Sequence, residues 1–175
     1  MEQKITSTTT KGLIISLILI VVSLAVYFAN VGMTGPTRWI GFLVFIVGIV
    51  WSVSSYGKQV NYNATFGNYF GHGFKVSAVV TVIMIIFSVL FILLFPDLKE
   101  KALDAARKQM VQDNKLTQDQ MNQALEITGK FFMVFAVGGA LLGYLFFGAI
   151  ASLVGAGITK KNPGQIGDEV NQIGQ

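Results

Sequence analysis

The chain has 175 residues, 53% hydrophobic and 13% charged, with a formal net charge of +4 and no cysteine. A globular domain carries about 25% charged residues, so this balance belongs to the membrane class, and the length suits one small bundle without a separate soluble domain. The missing cysteines exclude disulfides and thiolate chemistry, and the scattered bases lack the clustered patch that nucleic acid requires.

Four runs contain no charged side chain: 12–29, 39–56, 76–95 and 131–159. About 18 apolar residues suffice to cross a hydrocarbon core as a helix, which satisfies its own backbone polar groups in lipid. Lys4 and Lys11 could flank a signal peptide. However, the apolar core from Leu13 to Phe28 exceeds the usual length of roughly 7–15 residues, and a retained first helix is expected.

That helix is expected to end near Asn30, before the turn residues 31–36, so helices one and two form a tight antiparallel hairpin. Arg38 and Trp39 open the second helix at the membrane interface, and Tyr56-Gly57-Lys58 closes it. In the segment 59–75, Phe66, Phe70 and Phe74 recur every four residues, with Tyr69 beside them and Gly67, Gly71 and Gly73 between. The spacing predicts a short interfacial helix lying on the membrane ahead of the third span; an irregular aromatic loop is the alternative. His72, the single histidine, falls within it.

The third span stops at Phe95-Pro96-Asp97, since proline ends a helix or opens the next. Residues 97–130 hold six bases and six acids, with Leu98, Ala102, Ala106 and Met110 at i+4 spacing. This predicts a solvated amphipathic helix over about 97–113. Thr117 and Gln120 fit a capping box that starts a second helix. With no proline following, that helix is expected to run from Gln118 to Thr159, with Gly129 as the place for a break. The tail 161–175 is polar and glycine-containing and is expected to be disordered. The fold class is therefore all-α: a single four-span domain over 1–160, with an amphipathic extramembrane helical hairpin between helices three and four.

Four spans put both termini on one side. Lys11, Lys58, Lys75, Lys160 and Lys161 near the membrane on that side slightly outnumber Arg38, Lys99, Lys101 and Lys130 on the other, which favours cytoplasmic termini.

The two first spans, the stretch from Thr65 through Phe66, Phe70 and His72 to Phe74-Lys75, the Phe95-Pro96-Asp97 exit, the charged loop and the closing Ile158-Thr159-Lys160-Lys161 carry a resemblance. The chain resembles an uncharacterised domain-of-unknown-function family of small bacterial integral membrane proteins. The likeness implies a four-helix inner-membrane protein and brings no activity or site with it.

No nucleophile with a base, metal cluster or phosphate loop is found in the spans, so no enzyme activity, cofactor or metal is expected. His72 could be a proton-sensitive switch; the preferred reading is an interfacial polar side chain without a role, like the aromatics Phe66, Phe70 and Phe74 around it. Gly139, Gly143, Ala151 and Gly155 read as a small-residue packing stripe in helix four, interrupted by Phe147, with homodimerisation as the sharper use. Ser16, Ser23 and Asn30 in helix one, Ser77, Thr81 and Ser88 in helix three, and Gly41, Gly48 and Ser55 in helix two form further small or polar stripes.

Two functions follow from this pattern. The first is a non-enzymatic inner-membrane scaffold or accessory subunit that docks a protein partner through 97–130. The second is a small oligomeric transporter or channel, weakened by the lack of charge in the spans. Membrane lipid is a partner in either. Cysteines introduced at Thr8 and Gln175 are expected to label from one side of the membrane and a cysteine at Gln112 from the other; termini on opposite sides would eliminate four spans.

Overall fold

The computed structural model describes residues 5–29, 39–113 and 115–160. The expected turn at 31–36, Arg38 and the tail 161–175 lie outside them. Six helices follow in order: α1 (Thr8–Phe28), α2 (Ile40–Gln59), α3 (Phe66–Leu94), α4 (Asp97–Asp113), α5 (Gln118–Lys130) and α6 (Phe132–Ile158). α1, α2, α3 and α6 are each long and apolar enough to span a bilayer. The protein is an all-α membrane bundle. Only 28% of the apolar window is buried in α1, α2 and α3, and 6% in α6. Leu17, Val47, Val82 and Leu142 point outward. That exterior suits lipid, where an apolar side chain loses nothing by facing out.

α2 and α3 form the shared pair against which α1 and α6 both pack. The core contains Ile15 and Leu19 from α1, Phe45 and Ile49 from α2, Val76, Val80 and Met84 from α3, and Ala151 from α6. α3 and α6 come closest. A Cβ on Gly73 would lie 2.7 Å from Ser152 Oγ, and one on Gly148 would overlap Ser77 Oγ and sit 2.7 Å from Ser77 Cβ. The two contacts are reciprocal, each helix giving one glycine and one serine to its antiparallel neighbour. Ser152 Oγ donates to its own Gly148 carbonyl at 2.6 Å, and Ser77 Oγ donates across to the Tyr144 carbonyl at 3.4 Å. Small residues let the backbones approach, and the hydroxyls are satisfied without water.

Three expectations are corrected. First, 66–75 is no separate in-plane helix but the start of α3, capped by the Thr65 hydroxyl, which accepts from the Asn68 N–H at 3.3 Å. The glycines that argued against a rigid helix are tolerated because tertiary packing overrides propensity, Gly73 being required by Ser152. Second, α5 and α6 are not continuous. Phe131 (φ −105°, ψ 21°) breaks them, because α5 turns its seam toward α4 while α6 packs on α2 and α3. Gly129, the expected break, stays helical beside Leu103.

Third, Gly139 and Gly143 are not closely packed within the chain. A Cβ on Gly139 would meet nothing within 4 Å, and one on Gly143 only the Phe42 ring at 3.7 Å. An i+4 series drifts about 40° per step around a helix of 3.6 residues per turn, so Gly139 and Gly155 end up on nearly opposite faces. Ala151 and Gly155 are buried, and the close-packed row is Gly148, Ala151, Ser152 and Gly155.

The capping box at Thr117 forms as expected: its hydroxyl accepts from the Gln120 N–H at 3.4 Å, and the Gln120 side chain accepts from the Thr117 N–H at 2.9 Å. α4 and α5 pack on each other as a hairpin.

Gly148→Ala is expected to lower stability by roughly 1–3 kcal/mol through overpacking against Ser77. Gly139→Ala is expected to be neutral or to add roughly 0.5–1 kcal/mol from helix propensity. Thermal melts in detergent check both; equal effects would remove the distinction between the two faces.

Candidate functional site

Charge enters the bundle at the end where α1 and α3 begin and α2 and α6 finish. Ser7 caps α1, its hydroxyl accepting from the Thr10 N–H at 3.1 Å, so Lys11 falls within the first helical turns rather than before them. Its side chain turns inward and is 1% exposed. The ammonium donates to the Ser52 carbonyl at 3.2 Å and approaches Gln59 Oε1 and His72 Nε2, each at 3.5 Å. It also lies 5.9 Å from the centre of the Tyr56 ring.

The partners are held from several directions. Ser52, Tyr56 and Gln59 recur at i+4 and i+3 on one face of α2. The α2–α3 turn uses two left-handed residues, Asn61 (φ 51°) and Tyr62 (φ 61°), with the Tyr62 N–H donating to the Gly57 carbonyl at 2.8 Å. Such a φ is strained for tyrosine, and the tight reversal lays α3 back along α2. His72 then stacks flat on Tyr56, ring centres 4.2 Å apart and planes within 6°. Ser52 Oγ is 3.4 Å from His72 Nε2. Gln59 pins the segment before α1: its amide donates to Thr6 Oγ1 at 3.0 Å, and the Thr6 N–H donates to Gln59 Oε1 at 3.2 Å. At the end of α6, Thr159 closes over Gly57, where a Cβ would lie 2.5 Å from its methyl.

The arrangement is a cation site whose cation is the protein's own. A lysine ammonium only donates, so facing it His72 Nε2 is the acceptor and His72 the neutral partner. Among the described residues no carboxylate pairs with Lys11; the ion pair there, Lys101–Asp97, is at the opposite end of the bundle. Carbonyl, amide and imidazole dipoles and an aromatic face hold the charge instead.

The structure places His72 inside the bundle beside Lys11 rather than on its surface. The histidine is buried, because α3 begins six residues earlier and turns that position inward. Phe66 and Phe74 are exposed on the outside of the same helix, Phe74 stacking on Phe70 at 5.9 Å. Phe70 packs against the small cluster of Val53, Tyr69 and Ala156. Ser52 and Gln59 were not singled out in the sequence, Lys11 was read only as a flanking charge, and Tyr56 only as a helix end. The one available signal was the capping serine at Ser7, which moves the start of the first helix upstream of Lys11.

At the other end, α4 is pinned to the bundle. The Tyr27 hydroxyl donates to both Asp97 oxygens at 3.3 Å, and Lys101 pairs with Asp97 Oδ2 at 2.9 Å. The Lys101 ammonium beside Asp97 holds that carboxyl below its ordinary range, and Asp97 in turn raises Lys101. Tyr27 is itself seated between Phe91 and Phe95, with ring centres at 5.1 and 5.0 Å.

A family model described as a protein of unknown function, DUF4199, matches residues 10–161. The chain belongs to the DUF4199 family. The DUF4199 match takes in the whole Lys11 cluster except Thr6, and also the Tyr27–Asp97 pin. Comparison with curated proteins finds no match, nor does comparison with solved structures.

Lys11→Met is expected to leave the protein as stable or more stable, by up to about 4 kcal/mol, since an apolar side chain avoids burying a charge. The partners keep other contacts: Gln59 with Thr6, His72 with Ser52. A loss above about 2 kcal/mol in detergent melts would instead make the lysine a structural pillar of the bundle.

Proposed function

We propose that this DUF4199 protein is a non-enzymatic scaffold or accessory subunit of a bacterial inner membrane, with both termini cytoplasmic, that docks a protein partner through the α4–α5 hairpin. The observation that carries this reading is the hairpin's one-sided packing. Leu98 and Met121 are buried, whereas Val111, Leu116 and Ile127 are exposed. Two short helices share one thin apolar seam, and such a pair lacks a second layer of its own. The six bases and six acids of 97–130 cancel, so electrostatic attraction to anionic lipid does not supply that layer, and a protein surface does. The Tyr27–Asp97–Lys101 pin and the Phe131 break support the same reading, since they give the hairpin a defined attachment at each end.

A photo-crosslinking side chain at Val111 or Ile127, in native membranes, is expected to give one discrete heavier protein adduct. The same probe at lipid-facing Leu142 is expected to give none. Lipid adducts alone at all three positions would overturn the docking reading.

The Lys11 cluster favours a second reading, a small transporter or channel, because it supplies the intramembrane charge that the four uncharged runs lacked. Under that reading, proton or cation flux in proteoliposomes falls in Lys11→Met while the fold persists. Under the scaffold reading neither protein conducts.

A further inference from the structure

A second site lies at the end of the bundle away from Lys11. A cavity of about 470 Å³ opens between α1, α2, α3 and α6, lined by Ser23 and Tyr27, Gly41, Phe87 and Ser88, and Tyr144 among others. That volume is within the roughly 300–1,000 Å³ of small-molecule pockets, which are mostly apolar with a few placed polar groups. Among the described residues no charged side chain lines it.

The serine hydroxyls of this cavity differ from the buried serine and threonine hydroxyls of the core, which all have partners. In helices facing lipid or core, serine and threonine ordinarily donate back to the carbonyl four residues earlier. Ser16, Thr81, Ser152 and Thr159 do so, at 2.6–2.8 Å. Ser23, Ser88 and the Tyr144 phenol make no hydrogen bond among the described residues, and all three line this one cavity. Each of them offers an unused donor to an otherwise apolar chamber. Phe87 and Phe91 stack beside them with ring centres 5.2 Å apart, Tyr27 stands at 5.1 Å from Phe91, and Tyr144 closes the α6 side.

We propose that this cavity binds a neutral, membrane-dissolved molecule with a flat ring bearing carbonyl or hydroxyl oxygens. The donors select oxygen acceptors, the aromatic walls select a planar ring, and a lining uncharged among the described residues suits a neutral molecule better than a phospholipid headgroup. All of its described lining belongs to the four apolar helices, so the ligand is one that partitions into lipid first. The proposal stands independently of the hairpin's partner and of the Lys11 cluster.

The test uses the full chain in nanodiscs. The probe is 1,4-benzoquinone with a ten-carbon tail, and decylbenzene is its oxygen-free counterpart. The quinone is expected to raise the melting temperature saturably, and decylbenzene to raise it little. Ser23→Ala combined with Ser88→Ala, nearly isosteric, is expected to weaken quinone binding roughly tenfold, as two lost hydrogen bonds would. Gly41→Leu fills the chamber from α2, where an added Cβ would meet no described atom within 4 Å; its melting temperature without probe checks that it folds, and quinone binding is expected to disappear. Equal stabilisation by decylbenzene would make the cavity a generic acyl-chain slot. Unaltered quinone binding in Gly41→Leu, or no saturable response to any probe, would equally overturn the proposal.

Discussion

The fold depends on the close approach of α3 and α6. Gly73 faces Ser152 and Gly148 faces Ser77, four residues farther along each helix in opposite directions. Between membrane helices the hydrophobic effect offers little, since lipid is as apolar as leucine; close packing has to supply the attraction instead. A single Cβ on either glycine would push the two backbones apart. The serines fit there only because their protons have carbonyl acceptors at hand, on Gly148 and on Tyr144. Both chemical features of the molecule are registered by this contact. His72 is the residue before Gly73 and is thereby set against Lys11, while Tyr144, whose carbonyl receives Ser77, presents its ring to the cavity at the other end.

The Lys11 cluster illustrates how a charge can be kept inside a membrane bundle without a counter-ion. A carboxylate would make an ion pair, but would also need desolvation and its own hydrogen bonds. Ser52, Gln59 and His72 stay neutral and each offers one acceptor atom, so no second charge is desolvated. The location helps: near the α2 C-terminus carbonyl dipoles favour a cation, although the start of α1 itself opposes one. The partners come from two helices, α2 and α3, so the ammonium is held by acceptors the bundle itself supplies.

How far the sequence could be read follows from the range of the interactions. The Thr117–Gln120 box, the stop at Pro96 and the four apolar runs are local, and each appears where its residues imply. Long-range consequences were hidden. Lys11 and His72 are 61 positions apart, so their pairing follows from topology, and the lysine looked like a loop flank until Ser7 proved to be the cap. The Gly139–Gly155 series failed for a geometric reason, since repeated i+4 steps leave the face on which they began. The glycines of 67–73 suggested a break because propensity was weighed alone, whereas Gly73 is there to admit Ser152.

The two ends of the bundle therefore have different chemistry, and Tyr27 links one of them to the extramembrane hairpin. Its ring borders the cavity, and its hydroxyl holds Asp97, the first residue of α4. The Lys101 ammonium covers the same ring at 5.1 Å while pairing with that carboxylate. The ring is seated between Phe91 and Phe95, so one side chain joins the aromatic wall of the cavity to the carboxylate that opens α4. Asp97 follows Pro96 at the exit of α3, so only two residues separate the last turn of the span from the first residue of the hairpin. The attachment of the hairpin to the bundle is thus set at one tyrosine, by stacking on one side and a carboxylate on the other.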